Sequence, residues 1–184
     1  MTNHFSAASL CAGAIRTRIY NGERAKNLEA DVNFEDSIAI DAPVHDLWDF
    51  LLDVDRSAAC VPGVDEVRLV DDQTFDGVIA ARVGPIEGKF SFRAHIIDST
   101  PPTELTAIVT GTDSVTKSQL DVQMGMNLVA DSPSSTTLRY RATVDVRGRL
   151  AILGDMVLRA TASLILDEFT KRLKRQMADA ARQA

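Results

Sequence analysis

Few residues in this chain are of types that do chemistry, and their spacing does not group them. Cys60 stands at a predicted helix end before Pro62-Gly63, where a thiolate would be the chemistry to look for. No histidine accompanies it in sequence, and a lone thiol of this kind reads as a small buried hydrophobe. His45 falls on the polar side of a helix beside Asp46 and Asp49, and His95 on the polar parity of a strand. Three histidines with Cys60 make no metal spacing such as paired Cys or His-x3-His, so no metal and no cofactor is expected. Gly84 and Gly88 have no helix after them to complete a phosphate-binding loop. Arg82, Arg93, Arg139, Arg141 and Arg147 share the polar parities of their strands and read as a solvated outer face. Lys171, Arg172, Lys174 and Arg175 suit the negative end of a helix dipole, and would also suit an anionic lipid surface or an acidic partner.

The elements that must position these residues begin with the last one. Gly148 to Met177 reads as one long helix, with Leu158, Ala162, Ile165, Leu166, Phe169, Leu173 and Met177 at spacings of three and four. In its first half Leu153, Met156, Val157, Ala160 and Leu164 add a second apolar stripe on the side that Lys171 and Arg175 later occupy. A helix apolar on two faces needs two surfaces to touch.

Ahead of it the period is mostly two. Val32, Phe34, Ile38 and Ile40 share one parity of a strand, with Asp36 the polar interruption. Asp41-Ala42-Pro43 opens a helix, with Asp41 as the expected cap, carrying Val44, Leu47, Trp48 and Leu51 on one stripe. Asp53 and Asp55 cap a second short helix around Arg56 to Cys60. Six strands follow. Their apolar parities hold Val64 to Val70, then Phe75, Gly77 and Ile79, then Phe90, Phe92, Ala94 and Ile96. Leu105, Ala107 and Val109 come next, then Leu120, Val122, Met124, Met126 and Leu128, and last Leu138, Tyr140, Ala142, Val144 and Val146. Short turns between clean alternations argue for an antiparallel meander with one wet face and one dry face. Gly125, between two methionines, marks a bulge, a bend or a close backbone approach.

With 184 residues the chain holds one sizeable core, and no run approaches the ~18 apolar residues of a membrane span. The net charge of −6 sits in the middle of the chain, both ends being positive, and an acidic body repels phosphate backbones, so nucleic acid is not an expected partner. Two cysteines are too few for a disulfide framework and point to a reduced, cytoplasmic setting. Residues 1–30 read as a poorly ordered tail, and residues 31–180 as a single domain.

An order of strand, two short helices, six strands and a long helix describes an α+β helix-grip fold. In it a seven-stranded curled antiparallel sheet wraps the C-terminal helix. Four motifs then resemble the carbon monoxide dehydrogenase G-subunit family, part of the SRPBCC (START-type) superfamily, over roughly residues 32 to 177. They are Ala42-Pro43 leading to Trp48, Cys60-Val61-Pro62-Gly63, Val83-Gly84-Pro85-Ile86, and Gly148-Arg149-Leu150-Ala151-Ile152-Leu153-Gly154.

The resemblance implies an accessory protein of a molybdenum hydroxylase. It also implies a cavity under the long helix that holds a hydrophobic ligand, with quinones and other isoprenoid lipids as the natural class. Many such proteins carry a linker and a membrane-anchoring tail beyond the domain. This chain departs from them by ending at Ala184, so anchoring through its own C-terminus is not expected, and any membrane contact at the inner face would be peripheral. The expected cavity lining is Phe75, Ile79, Phe90, Phe92, Leu120, Met124, Met126, Tyr140, Leu158, Ile165 and Phe169, enclosing a few hundred Å³. The inward parities are almost wholly apolar, which favours binding over the rival reading, a cyclase, aromatase or hydrolase of the same fold. The second stripe (Leu153, Met156, Val157, Ala160 and Leu164) is the expected docking patch for a partner enzyme, a membrane or a second copy.

Overall fold

The computed structural model describes residues 29–83 and 85–183; the predicted tail, apart from its last two residues, lies outside the described residues. The elements are β1 (Glu29–Ile40), α1 (Val44–Leu52), α2 (Val54–Cys60), β2 (Val64–Asp71), β3 (Thr74–Val83), β4 (Ile86–Thr100), β5 (Glu104–Asp113), β6 (Ser118–Ser132), β7 (Ser135–Arg147), a 3-10 turn (Arg149–Leu153) and α3 (Gly154–Gln183). All seven strands form one antiparallel sheet in the order β1-β7-β6-β5-β4-β3-β2. Strands β2 to β7 follow one another as a meander, and β1 closes on the free side of β7. This is the expected helix-grip architecture.

Register explains why one face is dry. Met126 stands opposite both Leu105 and Tyr140, Met124 opposite Ala107 and Ala142, and Phe92 opposite Gly77 and Gly111. A slip of one residue would turn each of these sets to solvent, so burial itself pins the pairing. The arginines at 82, 93, 139, 141 and 147 are all exposed on the other face. Gly125 makes no bulge: the ladder runs through it on both sides, and on the outer face the Arg141 side chain lies across it, its Nε 3.3 Å from where a Cβ would be.

The helices differ from expectation at two termini. Asp53 caps α2 as its position suggested, accepting from the Arg56 N–H at 3.1 Å. Asp41 caps nothing. The capping position of α1 falls on Pro43, which has no acceptor side chain, and the chain before it is held by the Thr136 hydroxyl donating to the Ala42 carbonyl at 2.8 Å. The last helix does not start at Gly148. Arg149–Leu153 is a 3-10 turn, and Gly154, at φ +74°, separates it from α3. The apolar stripe of 150–153 is therefore wound separately from that of the α-helix.

Two clusters fill the interior. The larger joins Ile38, Ile40, Leu47, Trp48, Phe50, Cys60, Leu105, Leu128 and Leu138 to Leu173 and Met177 at the C-terminal end of α3. The smaller joins Phe90, Val146 and Leu150 at the opposite end, with Leu153, Val157 and Leu158 packed on it. Each large apolar side chain fully buried this way contributes roughly 1.5–3 kcal/mol. The helix is thus held to the sheet at both ends.

A polar knot secures the second end. Asp113 is 3% exposed, and its carboxylate accepts from the Val115 N–H at 2.8 Å and the Thr116 hydroxyl at 2.9 Å. The Thr116 hydroxyl also contacts that of Ser118, which accepts from the N–H of Leu150 in the 3-10 turn at 3.2 Å. Burial would raise the Asp113 pKa, but the hydrogen bonds from Val115, Thr116 and Lys89 outweigh it and hold the carboxyl below its ordinary value. A depressed carboxylate contributes stability above its unfolded pKa of about 3.9 and loses it as pH falls through the folded value. Asp113→Ala is accordingly expected to cost roughly 1–3 kcal/mol near neutral pH, from stranded buried donors. Denaturant titrations should show the gap to wild type narrowing below about pH 4; a gap constant with pH would show that the ionised form contributes nothing.

Candidate functional site

The site follows from the way the long helix meets the sheet. The backbone of α3 comes nearest the sheet at β1 and β3, and it packs on α2. The curled sheet therefore passes beneath the helix with its central strands set back. On β1, an edge strand, the Arg159 guanidinium donates to the Asn33 carbonyl at 2.8 Å and covers one of the acceptors that an edge leaves unpaired.

Between the two core clusters the inner face is less fully buried. Of the eleven residues expected to line a cavity, Phe90 is buried at 5% exposure within the smaller cluster, and the other ten are half-buried. Met124, Met126, Tyr140 and Phe169 pack on the edge of the larger cluster, and Ile79, Leu120 and Leu158 on the smaller. The Phe92 ring lies over Gly77: a Cβ there would stand 2.4 Å from the ring, so only glycine lets the phenylalanine lie against the sheet at this point. These side chains share the inner parity with fully buried neighbours yet keep accessible surface, so the middle of the face is not packed solid. Neither of two concavities on the surface is the enclosed chamber expected from the sequence. The larger, about 1050 Å³, lies on the outer face, lined by Asp65, Glu66, Arg68, Asp76, Arg93 and Thr110 among others; the smaller, about 370 Å³, is at the β1–β7 end.

The outer concavity has its charges matched internally. Arg93 donates to both oxygens of Asp76 at 2.7 and 2.8 Å, and Lys89 lies 3.2 Å from Asp65. The bond from Arg93 holds the Asp76 carboxyl below its ordinary pKa. A site whose charges already satisfy one another has little left to offer a charged ligand.

On the inner face the chemistry is sparse. Tyr140 is the aromatic hydroxyl on the inner face, and it makes no hydrogen bond among the described residues. Burial first, then the charges of Asp36 and Asp167, push the phenol above its ordinary pKa, so it remains a proton donor. Asp36 stands directly across from Tyr140 in the β1–β7 ladder. Sequence reasoning puts Asp36 on the inner parity between Phe34 and Ile38 without including it in the site; that parity is the signal that would have included it. Cys60 is fully buried, 3.7 Å from the Arg56 carbonyl. Its thiol is pushed up by burial against the opposing pull of Arg172, Arg175 and Arg56, and it serves as packing. Among the described residues no group of His, Cys, Asp and Glu is arranged to hold a metal, and no helix is long and apolar enough to cross a membrane.

The predicted docking stripe divides. Met156 and Leu164 are 83% and 69% exposed, and Ala160 is exposed between them. Leu153 and Val157 are half-buried on the smaller cluster and belong to the interior side. Ile152, in the 3-10 turn that precedes α3, is also exposed, at 62%.

A seven-stranded curled sheet gripping one long C-terminal helix defines a helix-grip protein. The family model for the carbon monoxide dehydrogenase G-subunit (CoxG) matches residues 37–178, and the chain belongs to that family. No curated protein matches it in sequence. Among solved structures it is similar to a conserved protein from Geobacillus kaustophilus, at 21% identity and a TM-score of 0.75, covering 80% of this chain and 96% of that one. A START superfamily protein from Mycobacterium smegmatis gives 10% identity and a TM-score of 0.64 over 80% and 98% of the two chains. The Zhui aromatase/cyclase from Streptomyces sp. R1128 gives 14% and 0.59 over 80% and 94%. At these identities the likeness is one of fold.

Proposed function

We propose that the chain binds a hydrophobic small molecule, without transforming it, in the cleft between the sheet and α3. We further propose that it does so as an accessory protein to a molybdenum hydroxylase of the carbon monoxide dehydrogenase type. The observation that carries the reading is the half-buried inner face itself. Seven apolar or aromatic side chains on the inner face of the sheet and three on α3 keep accessible surface, which is costly unless something apolar occupies the space. Membership of the CoxG family supports the accessory role. A quinone or another isoprenoid lipid suits a cleft of this lining in a protein serving an electron-transferring enzyme. The outward line of Met156, Ala160 and Leu164 offers the surface for docking on that enzyme, on a membrane or on a second copy.

The aromatase/cyclase fold relationship keeps an enzymatic reading in view. Catalysis needs polar groups converging on a reacting atom; Asp113, Thr116 and Ser118 are engaged in the knot, which leaves Tyr140, with Asp36 at its edge, among the described inner-face residues. Native mass spectrometry of the protein isolated under mild conditions tests both readings. Binding predicts an apolar molecule at one per chain, recovered chemically unchanged after incubation, and the same spectra report any second copy or partner. Protein that carries no ligand, and whose thermal midpoint moves with neither a short-chain naphthoquinone nor the corresponding naphthoquinol, would overturn the binding reading; recovery of an altered molecule would favour the enzyme.

A further inference from the structure

We propose that Tyr140 and Asp36 form a head-group site at the β1 side of the cleft, one that takes a hydroxyl in preference to a carbonyl, an ether or a bare hydrocarbon. The inference rests on the ligand-binding reading above and adds to it which end of the ligand sits where and what that end must carry.

The two side chains are cross-strand partners on the inner face, in neighbouring positions of an uninterrupted ladder. Residues directly opposite in such a pair have Cβ atoms ~4.5–5.5 Å apart, so the two side chains leave the sheet as immediate neighbours. Their surroundings differ sharply. Tyr140 is half-buried beside Met126 and Leu138 on the edge of the larger core cluster, whereas Asp36 is exposed on the edge strand. The phenol hydroxyl has no partner among the described residues. One Asp36 oxygen accepts from the Ser37 N–H at 2.7 Å, and the other is open.

The pair thus presents one donor and one acceptor at the boundary between apolar cleft and water. A hydroxyl is the small group that answers both, accepting from the phenol and donating to the carboxylate. A carbonyl or ether oxygen can only accept, and it brings its lone pairs towards the Asp36 charge. A hydrocarbon leaves the phenol unanswered. Asp167 on α3 adds a second negative charge near Tyr140, which further disfavours an electron-rich oxygen with no proton to give. For a redox pair such as quinone and quinol, the geometry selects the reduced member. The apolar body would then run inward along Met124 and Met126 towards Phe92.

The test uses a matched set of probes: 2-naphthol, 2-methoxynaphthalene, 2-methylnaphthalene and 2-naphthylmethylamine, titrated by calorimetry into the wild-type chain and into Tyr140→Phe and Asp36→Ala. Thermal melts establish that both variants stay folded. Wild type should bind 2-naphthol about tenfold more tightly than the methoxy and methyl compounds, the scale of a hydrogen bond to a charged group. Asp36→Ala should bring naphthol down to the level of methoxynaphthalene, and Tyr140→Phe should weaken both oxygen-bearing probes, with methylnaphthalene unmoved in either variant. Equal affinity for naphthol and methylnaphthalene in wild type would overturn the head-group site while leaving the ligand-binding reading intact. Tighter binding of the amine than of naphthol would overturn it in favour of a cation site. Failure of every probe to bind would remove both readings together.

Discussion

Leu173→Ala is expected to lower the unfolding free energy by about 3–4 kcal/mol, at the upper part of the range for leucine-to-alanine changes in cores. Leu173 is fully buried on the inward face of α3, where it meets the cluster built from Trp48, Phe50, Leu47 and Ile40. The site is walled on one side by α1 and α2 and on the other by the sheet, so it has little freedom to collapse, and that is the condition under which a cavity costs most. Phe169, one turn earlier, is only half-buried beside the cleft. Its replacement by alanine should cost less, about 2 kcal/mol, despite the larger side chain, because the space it leaves is already open to solvent. Urea unfolding of the two variants checks the order. A loss for Phe169→Ala larger than for Leu173→Ala would mean that the middle of the helix, and not its end, is the closed part of the core.

Gly148→Ala is expected to be as damaging, above about 3 kcal/mol, for a different reason. Gly148 has φ +85°, a region in which L residues are strained, and a Cβ built on it would lie 2.1 Å from the carbonyl oxygen of Lys117. That oxygen belongs to the backbone of the β5–β6 turn, which the Asp113–Thr116–Ser118 knot holds in place, so it cannot move aside cheaply. Gly63 repeats the arrangement, with φ +85° and the Ala80 carbonyl oxygen 2.2 Å from a would-be Cβ. Gly125→Ala is the control. It meets only the flexible Arg141 side chain at 3.3 Å, and its effect should stay within about 0.5 kcal/mol. Chemical denaturation of the three variants separates the cases; a mild Gly148→Ala would show that the turn yields.

These glycines account for part of the motif resemblance in physical terms. Cys60-Val61-Pro62-Gly63 ends α2 and lets β2 start flush against β3, where the Ala80 N–H reaches the Gly63 carbonyl at 2.8 Å. Gly148 to Gly154 turns the chain from β7 over the knot and releases it into α3.

Everything that depends on local period was legible in the chain alone. Alternation at two separated inner from outer residues on the strands other than β2, down to the exposed arginines and the odd inward aspartate at position 36. Strand β2 carried no such pattern and leaves Leu69 and Val70 exposed. Spacing at three and four marked the inward stripe of α3 from Leu158 to Met177. Both periods survive folding because a one-residue error would exchange a buried face for a wet one. Features that period cannot express were settled by tertiary contacts. The break at Gly154 is a backbone event with no apolar signature, and with it Leu153 and Val157 went to the smaller cluster while Ile152 turned outward. The cap expected of Asp41 gave way to Pro43 and a distant threonine, Thr136, that lies beside it only in the folded chain. Whether the space under α3 is closed or open depends on how far a curled sheet stands from a helix anchored at both ends. That distance is set by contacts between residues far apart in sequence, such as Arg159 and Asn33, which no local pattern in the chain records.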